Sequence, residues 1–524
     1  MEKVNTFVNS FPQRFERERT AILSIAAATA LLYATYKIVD KSSKKKSGLK
    51  DIPSPSISYP YVGHMFSLGK SPCKKITQWH KEVGHIFKLD MGIQTWILID
   101  DPLLAHKIFV THGVASSDRP HSTFAYEYYS FKGKGVAFAP ASKNWKIARG
   151  AVQTIIAPKV VDTHYLGPIK TEAIALADRL IAYSKIKNGV DPIEYLHLNS
   201  MNLIFKAAFG KVFSSVEDPD FISISALIMK TIAFTGIERD LPNFLPIFAV
   251  VDYCTGARTS MKNFIENERD PAYKRLINEA LGSEGTNFVK ALQNFDFNDE
   301  DKIAIISDLI NGGSDTVSVT LNWVFAIMCN YPLVQKKTAD EIDSFIQQHK
   351  RHPEFADRDE LPYCVAMLKE CLRFRPATPF GIPHCARNDI VVDGYLIPKG
   401  ATLITSMESM HQNPEVYAEP LRFYPERFLN NLKTMDAAAK GKLEERDHFN
   451  FGWGRRLCAA VYMAEVELFM AFVQVITRCT IEPVRDIDGK EHFPDIENSI
   501  IKGLILSPVP HKLNFIERKQ SLEQ

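Results

Sequence analysis

The stretch Phe451-Gly452-Trp453-Gly454-Arg455-Arg456-Leu457-Cys458-Ala459-Ala460 decides how this chain reads. Cys458 is one of eight cysteines, and no CxxC pair accompanies it. A phenylalanine and glycines precede it, an arginine sits two residues before it, and a long apolar run follows. A thiolate there stands at the start of a helix, where the positive end of the macrodipole favours negative charge. The glycines permit a tight loop.

Two readings of such a cysteine compete. A free cysteine beside an apolar helix is commonly a small buried core residue. A lone axial thiolate is also how some heme iron is held. The helix after Cys458 is predicted from Ala459 to about Thr477 and is apolar almost all round. Glu465 and Glu467 near its start favour a core helix over a membrane span.

Upstream, the spacing of Ile303, Ile306, Ile310, Val317, Leu321 and Val324 predicts one long helix from Asp299 to Cys329. Asn298 with Asp301 offers a capping box, and Asn330-Tyr331-Pro332 stops it. Gly312-Gly313-Ser314-Asp315-Thr316 sits in its middle, and each glycine there costs about 1 kcal/mol relative to Ala. A helix crossing would compensate, with Asp315 and Thr316 facing solvent. So would a groove that admits a flat ligand, with Thr316 bonding a carbonyl one turn back and Asp315 a titratable group beside it.

Leu361, Val365, Leu368 and Leu372 mark a further helix, with Glu370 and Arg373 paired on its far side. The default for such a pair is an exposed salt bridge worth well under about 1 kcal/mol. Trp145 and Arg149 share one face of another predicted helix. Gly394, Pro398 and Gly400 punctuate short strand-like runs between Tyr395 and Leu403.

Taken together, these residues resemble the cytochrome P-450 family, in a microsomal, fungal-like form, from about residue 52 to the C-terminus. Phe451, Gly454, Arg456 and Cys458 fit the heme-binding pattern FxxGxRxC, although Ala460 stands where the family usually has Gly. The Gly312–Thr316 segment is similar to the family's oxygen-binding motif, Glu370 and Arg373 to its ExxR pair, and Arg427 to the third member of that cluster. The motifs also come in the family's order. The resemblance implies a mainly α fold with a smaller β region, and heme b held through an axial thiolate from Cys458. It implies propionate contacts from Arg456, Trp145, Arg149 and His384, with Phe451 packing over the sulfur. It implies an oxygen groove at Gly312 and Gly313, and proton delivery by Thr316 and Asp315. Glu370, Arg373 and Arg427 would brace the loop before Cys458.

With 63 basic and 61 acidic residues the net charge is +2, and nothing suggests nucleic-acid binding. Unpatterned cysteines in a long chain fit a reducing compartment. Ala21 to Tyr36 is nearly all apolar and reaches the about 17–25 residues of a span only with Lys37, Ile38 and Val39 included. Basic residues from Lys37 to Lys46 follow it, so the positive-inside bias places the C-terminal side in the cytosol. The expected organisation is a lumenal segment 1–19, an anchor 20–39, a basic and proline-rich linker 40–63 and a catalytic domain 64–524.

No dinucleotide fingerprint appears, so electrons come from outside. The resemblance implies mono-oxygenation of a lipophilic substrate (a steroid, fatty acid or xenobiotic) at the endoplasmic reticulum membrane. It also implies an NADPH–cytochrome P-450 reductase and, as a second donor, a b-type cytochrome. Phe124, Tyr126, Tyr128, Tyr129 and Phe131, and the stretch Phe234 to Tyr253, align with substrate-facing loops, the second dipping into lipid. The rival readings are a heme-thiolate isomerase or dehydratase that needs no reductase, and a membrane-anchored helical protein with a structural cysteine.

Overall fold

The computed structural model describes residues 48–518. The lumenal segment, the anchor and the first part of the basic linker lie outside the described residues. In chain order, the helices that position the site are α1 (Lys143–Ile155), α2 (Leu166–Ile186), α3 (Pro192–Phe209), α4 (Asp299–Asn330), α5 (Pro332–His349), α6 (Pro362–Phe374) and α7 (Val461–Arg478). Strands are short. β1 (Ile86–Met91) pairs antiparallel with β2 (Gln94–Ile99). Then come β3 (His384–Cys385), β4 (Ile390–Val392), β5 (Tyr395–Ile397) and β6 (Thr402–Thr405), with β6 parallel to β2 and antiparallel to β3. β7 (Cys479–Arg485), β8 (Glu491–His492), β9 (Ser499–Lys502), β10 (Ile505–Pro508) and β11 (Leu513–Glu517) close the chain as two small sheets, β11-β7-β8 and β10-β9.

The sequence rules explain α4 in detail. Asn298 Oδ1 accepts the Asp301 N–H at 3.0 Å, and the Asp301 carboxylate accepts the Asn298 N–H at 3.3 Å. This is the expected capping box. Asp299, Glu300 and Asp301 set negative charge against the positive helix end. Tyr331 and Pro332 end the helix, one residue later than predicted, and the chain turns by 107° into α5. From Val317 to Cys329 every side chain is buried, with α3 packed along it.

Gly312 and Gly313 do different jobs. A Cβ on Gly313 would meet Ile204 of α3 at 3.2 Å, the close crossing of two helices. A Cβ on Gly312 would meet nothing within 4 Å. One glycine fits the crossing reading and the other the open-groove reading.

α7 packs along α2 and starts at Val461, two residues after the predicted start. Glu465 and Glu467 are both buried in it, so it is a core helix. Among the described residues no single helix is long and apolar enough to cross a membrane.

α6 departs from the default reading of its charges. Every residue from Tyr363 to Phe374 is buried, because α4, α5 and α7 all pack on it. Glu370 and Arg373 are therefore a core pair, with side chains 0 % and 1 % exposed. Glu370 receives Arg373 Nε at 2.7 Å and Nη2 at 2.8 Å, and the Tyr424 N–H at 2.8 Å. The Arg427 guanidinium completes the triangle at 3.0 Å. Arg373 Nη1 donates onward to the carbonyls of His411 and Pro420.

A second buried ionic cluster escaped the sequence. Lys369, with no exposed surface, lies 2.8 Å from Asp447 and donates to the Asn431 carbonyl at 2.6 Å. Arg358 lies 3.3 Å from Glu465, whose other oxygen accepts the Met435 N–H at 2.7 Å. These bonds tie the 431–447 loop to α6 and α7.

Lys369→Met leaves Asp447 buried and unpaired, so it is expected to cost about 3–5 kcal/mol in denaturant unfolding. Lys369→Met with Asp447→Leu is expected to recover most of that loss; a single variant as stable as wild type contradicts the clamp. Burial pushes the Glu467 carboxyl up to about 8. The folded state then holds a proton the unfolded chain releases, and stability falls as pH rises from about 4.3 to about 8. Glu467→Gln is expected to gain thermal stability over wild type progressively across that window and by a constant amount above it. Parallel Tm profiles across pH contradict this.

Candidate functional site

A cavity of about 420 Å³ is walled by α4, α7 and the 451–460 segment. Gly312, Gly313, Asp315 and Thr316 face it from α4, and Phe451, Arg456 and Cys458 from the loop before α7. Arg149 and His384 stand in the same wall. Trp145 and Gly454 do not.

The loop closes on itself through the Cys458 N–H, which donates to the Phe451 carbonyl at 2.8 Å. Gly454 has φ +53°. A Cβ there would sit 2.1 Å from the Phe109 carbonyl oxygen. Its glycine thus admits the 107–111 segment behind the loop, and the cofactor-contact expectation for Gly454 gives way to this backbone crossing.

Cys458 is exposed at the cavity wall. Burial pushes its thiol up, opposed by the Ala460 N–H and the Arg149 charge. The helix-start field expected from the sequence is therefore outweighed by desolvation in the bare protein. A bound metal ion reverses that balance, since a coordinated thiol is deprotonated outright.

Three guanidiniums share this cavity wall. Arg149 Nη2 donates to the Leu457 carbonyl. Arg456 donates to the carbonyls of Ser117, Val136 and Ala139, at 2.9, 3.0 and 2.6 Å. Its guanidinium lies 4.0 Å from the centre of the Trp145 ring, whose Nε1–H is itself held by the Val136 carbonyl at 3.1 Å. Trp145 thus positions Arg456 rather than facing the cavity. The third guanidinium, Arg119, was not legible as a site residue, because a lone arginine in a loop carries no periodic signal. It donates to Ala137, Ile382 and Pro383 carbonyls at 2.8, 2.7 and 2.9 Å.

Burial, and then the mutual repulsion of these charges, holds Arg119 well below the usual arginine range and Arg456 down to about 9. Among the described residues none of the three forms an ion pair with a carboxylate. Such a cluster fits a ligand that brings its own anionic groups. His384 Nδ1 lies 2.9 Å from the Ser116 carbonyl; burial and the Arg119 charge keep the imidazole neutral.

One carboxylate organises this wall. Asp308 on α4 accepts the N–H groups of Val136 and Ala137, at 2.6 and 2.9 Å. The carbonyls of the same two residues hold Trp145, Arg456 and Arg119. Asp308 was also missed by sequence reasoning, which saw it as one more polar residue of a long helix.

On α4, Thr316 Oγ1 donates to the Gly312 carbonyl one turn back at 2.7 Å. Asp315 is buried, and desolvation pushes its carboxyl up to about 7. Of the aromatic residues before Trp145, Tyr129 reaches the cavity, while Phe124 packs in the core against Phe234 and Phe264. Thr231, Ile232 and Thr235 also line the cavity, so of the stretch Phe234 to Tyr253 Thr235 alone stands in its wall.

The arrangement offers one ionisable sulfur, a cationic rim, an apolar interior and a protonatable acid, which fits an anionic macrocycle with a metal at its centre. The family model for cytochrome P450 matches residues 53–515. A probable cytochrome P450 508A4 of Dictyostelium discoideum is 28% identical, covering 93% of this chain and 96% of that protein. Cytochrome P450 2D3 of Rattus norvegicus is also 28% identical, covering 92% and 96%. A zebra fish cytochrome P450 structure with progesterone superposes with a TM-score of 0.71 at 24% identity, covering 85% of this chain and 99% of that one. The family works with redox partners and, in general, on lipophilic substrates. The chain belongs to the cytochrome P450 family of heme-thiolate monooxygenases, which carry heme b.

Proposed function

We propose that Cys458 would hold the heme iron through its thiolate in this P450 and that the enzyme hydroxylates a lipophilic steroid, fatty acid or xenobiotic. The observation that carries the reading is a cysteine in the wall of a cavity beside three guanidiniums without carboxylate partners. Heme bound there supplies the chemistry of dioxygen activation and C–H oxidation.

The chain's own residues bind and orient. Arg149, Arg456 and His384, joined by Arg119, hold the propionates through charge-assisted hydrogen bonds. Trp145 fixes the plane of Arg456, and Asp308 fixes the loop that both lean on. Phe451 and the apolar wall exclude water from the sulfur. Glu370, Arg373 and Arg427 brace the approach to Cys458. Gly312 leaves room on α4 for a small diatomic ligand, with Gly313 setting the helix crossing beside it. Thr316 holds a proton on its hydroxyl at the Gly312 carbonyl, and Asp315 is an acid able to give and regain a proton near neutrality.

Exposed Val250, Val251 and Tyr253 support contact with lipid. With the apolar N-terminal stretch they favour an anchor in the endoplasmic reticulum membrane, the catalytic domain facing the cytosol. The electron donor is then an NADPH-dependent flavoprotein reductase of the same membrane, with a b-type cytochrome as second donor.

The test is reconstitution in vesicles with NADPH–cytochrome P450 reductase under carbon monoxide. Wild type is expected to develop the red-shifted Soret band of a thiolate-ligated ferrous carbonyl on adding NADPH. Cys458→Ala is expected to give none, with NADPH or with dithionite. A variant that retains the band removes Cys458 from the ligand position, and a wild type reduced by dithionite but not by NADPH removes the reductase.

A further inference from the structure

The two oxygens of Asp315 have different surroundings. Oδ2 is buried with no hydrogen-bond partner. Oδ1 lies 3.5 Å from Nε2 of His197, on α3. The His197 side chain keeps 25% of its surface exposed, against 8% for Asp315. Asp315 stands in the cavity wall and His197 does not. His197 is therefore the more exposed of the two and stands outside the cavity wall. Nothing else among the described residues hydrogen-bonds the His197 ring. The charge bearing on it from a further element is Lys502 of β9.

We propose that His197 is the solvent-side entry of a proton line that recharges Asp315, which rests on Asp315 serving proton delivery as assigned above. The step balances with one proton in and one out. A hydronium ion at the outer face gives a proton to Nδ1 and is left as water, while the Nε2 proton passes to Asp315 Oδ1. The carboxylate becomes a neutral acid, and the ring stays neutral in its other tautomer. Once Asp315 has given its proton to the cavity, the ring gives its Nδ1 proton back to outer water and takes a proton from water on Nε2, one out and one in, and the carboxylate is ready to be recharged.

The direction of flow follows from the surroundings. Desolvation, with Lys502 adding to it, holds the imidazole down to about 4, while desolvation alone raises the Asp315 carboxyl to about 7. A proton placed on the ring therefore runs downhill to the carboxyl. With Nε2 3.5 Å from Oδ1, a neutral His197 that donates to the carboxylate form would lower the pH at which Asp315 ionises, so removing it should raise that pH.

The readout is the infrared carbonyl stretch of protonated Asp315, isolated as the difference between the ferric wild-type enzyme and its Asp315→Asn variant. On mixing with D2O the wild-type band is expected to shift by deuterium exchange promptly. In His197→Phe and His197→Gln the exchange is expected to slow by about a hundredfold. In His197→Phe the midpoint of the band's pH titration is expected to rise. Exchange and titration equal to wild type in both variants, or no Asp315 band near neutral pH in wild type, overturns the proposal. The Soret band of the carbonyl complex, unchanged in both variants, shows that they fold and load heme. Its absence from wild type would instead strike the functional reading, which the exchange rate does not touch.

Discussion

A carboxylate with no exposed surface holds the segment leading to Cys458 together. Glu370 lies in the core between two guanidiniums and a backbone N–H, and each partner is fixed elsewhere in turn. Arg373 carries the restraint to His411 and Pro420, and Arg427 to the carbonyl of Ala418 at 2.8 Å. Lys369, one residue before Glu370, sends a second restraint to Asp447. Together they pin the long irregular segment that ends at Cys458. A loop of this kind lacks a hydrogen-bond ladder of its own, so its geometry must come from side chains. Breaking either cluster leaves a charge buried without compensation.

The electrostatics of the cavity follow a complementary logic. Positive charge is concentrated on one wall and left without carboxylate partners, while backbone carbonyls satisfy part of each guanidinium. Such an arrangement costs desolvation and repulsion in the bare protein, and an anionic cofactor relieves both. Burial likewise pushes the Cys458 thiol up, and a metal ion bound there would oppose that. Asp308 lets both features coexist, since it fixes the loop whose carbonyls hold Trp145, Arg456 and Arg119.

Much of the fold was legible because it rests on local rules. The capping box at Asn298 and the stop at Pro332 bounded α4 to within a residue. The glycine–acid–threonine stretch and the loop before Cys458 were visible as breaks in a helical pattern. The burial of Glu370 and Arg373 was not visible from periodicity, which sets only which face a residue takes; three helices packed on α6 leave no face exposed. Contacts between distant segments were not legible either. Lys369 with Asp447, His197 with Asp315, and Arg119 with Ile382 join residues that no spacing rule connects. Gly454 was visible as a glycine, but its reason, the backbone of Phe109, exists only in three dimensions.

The account stands on a sulfur–iron bond at Cys458. X-ray absorption at the iron edge of the purified ferric holoprotein measures it directly. One sulfur neighbour in the iron's inner shell is predicted for wild type, and only nitrogen and oxygen neighbours for Cys458→His. An inner shell without sulfur in wild type, or one that keeps its sulfur when Cys458 is replaced, contradicts the account.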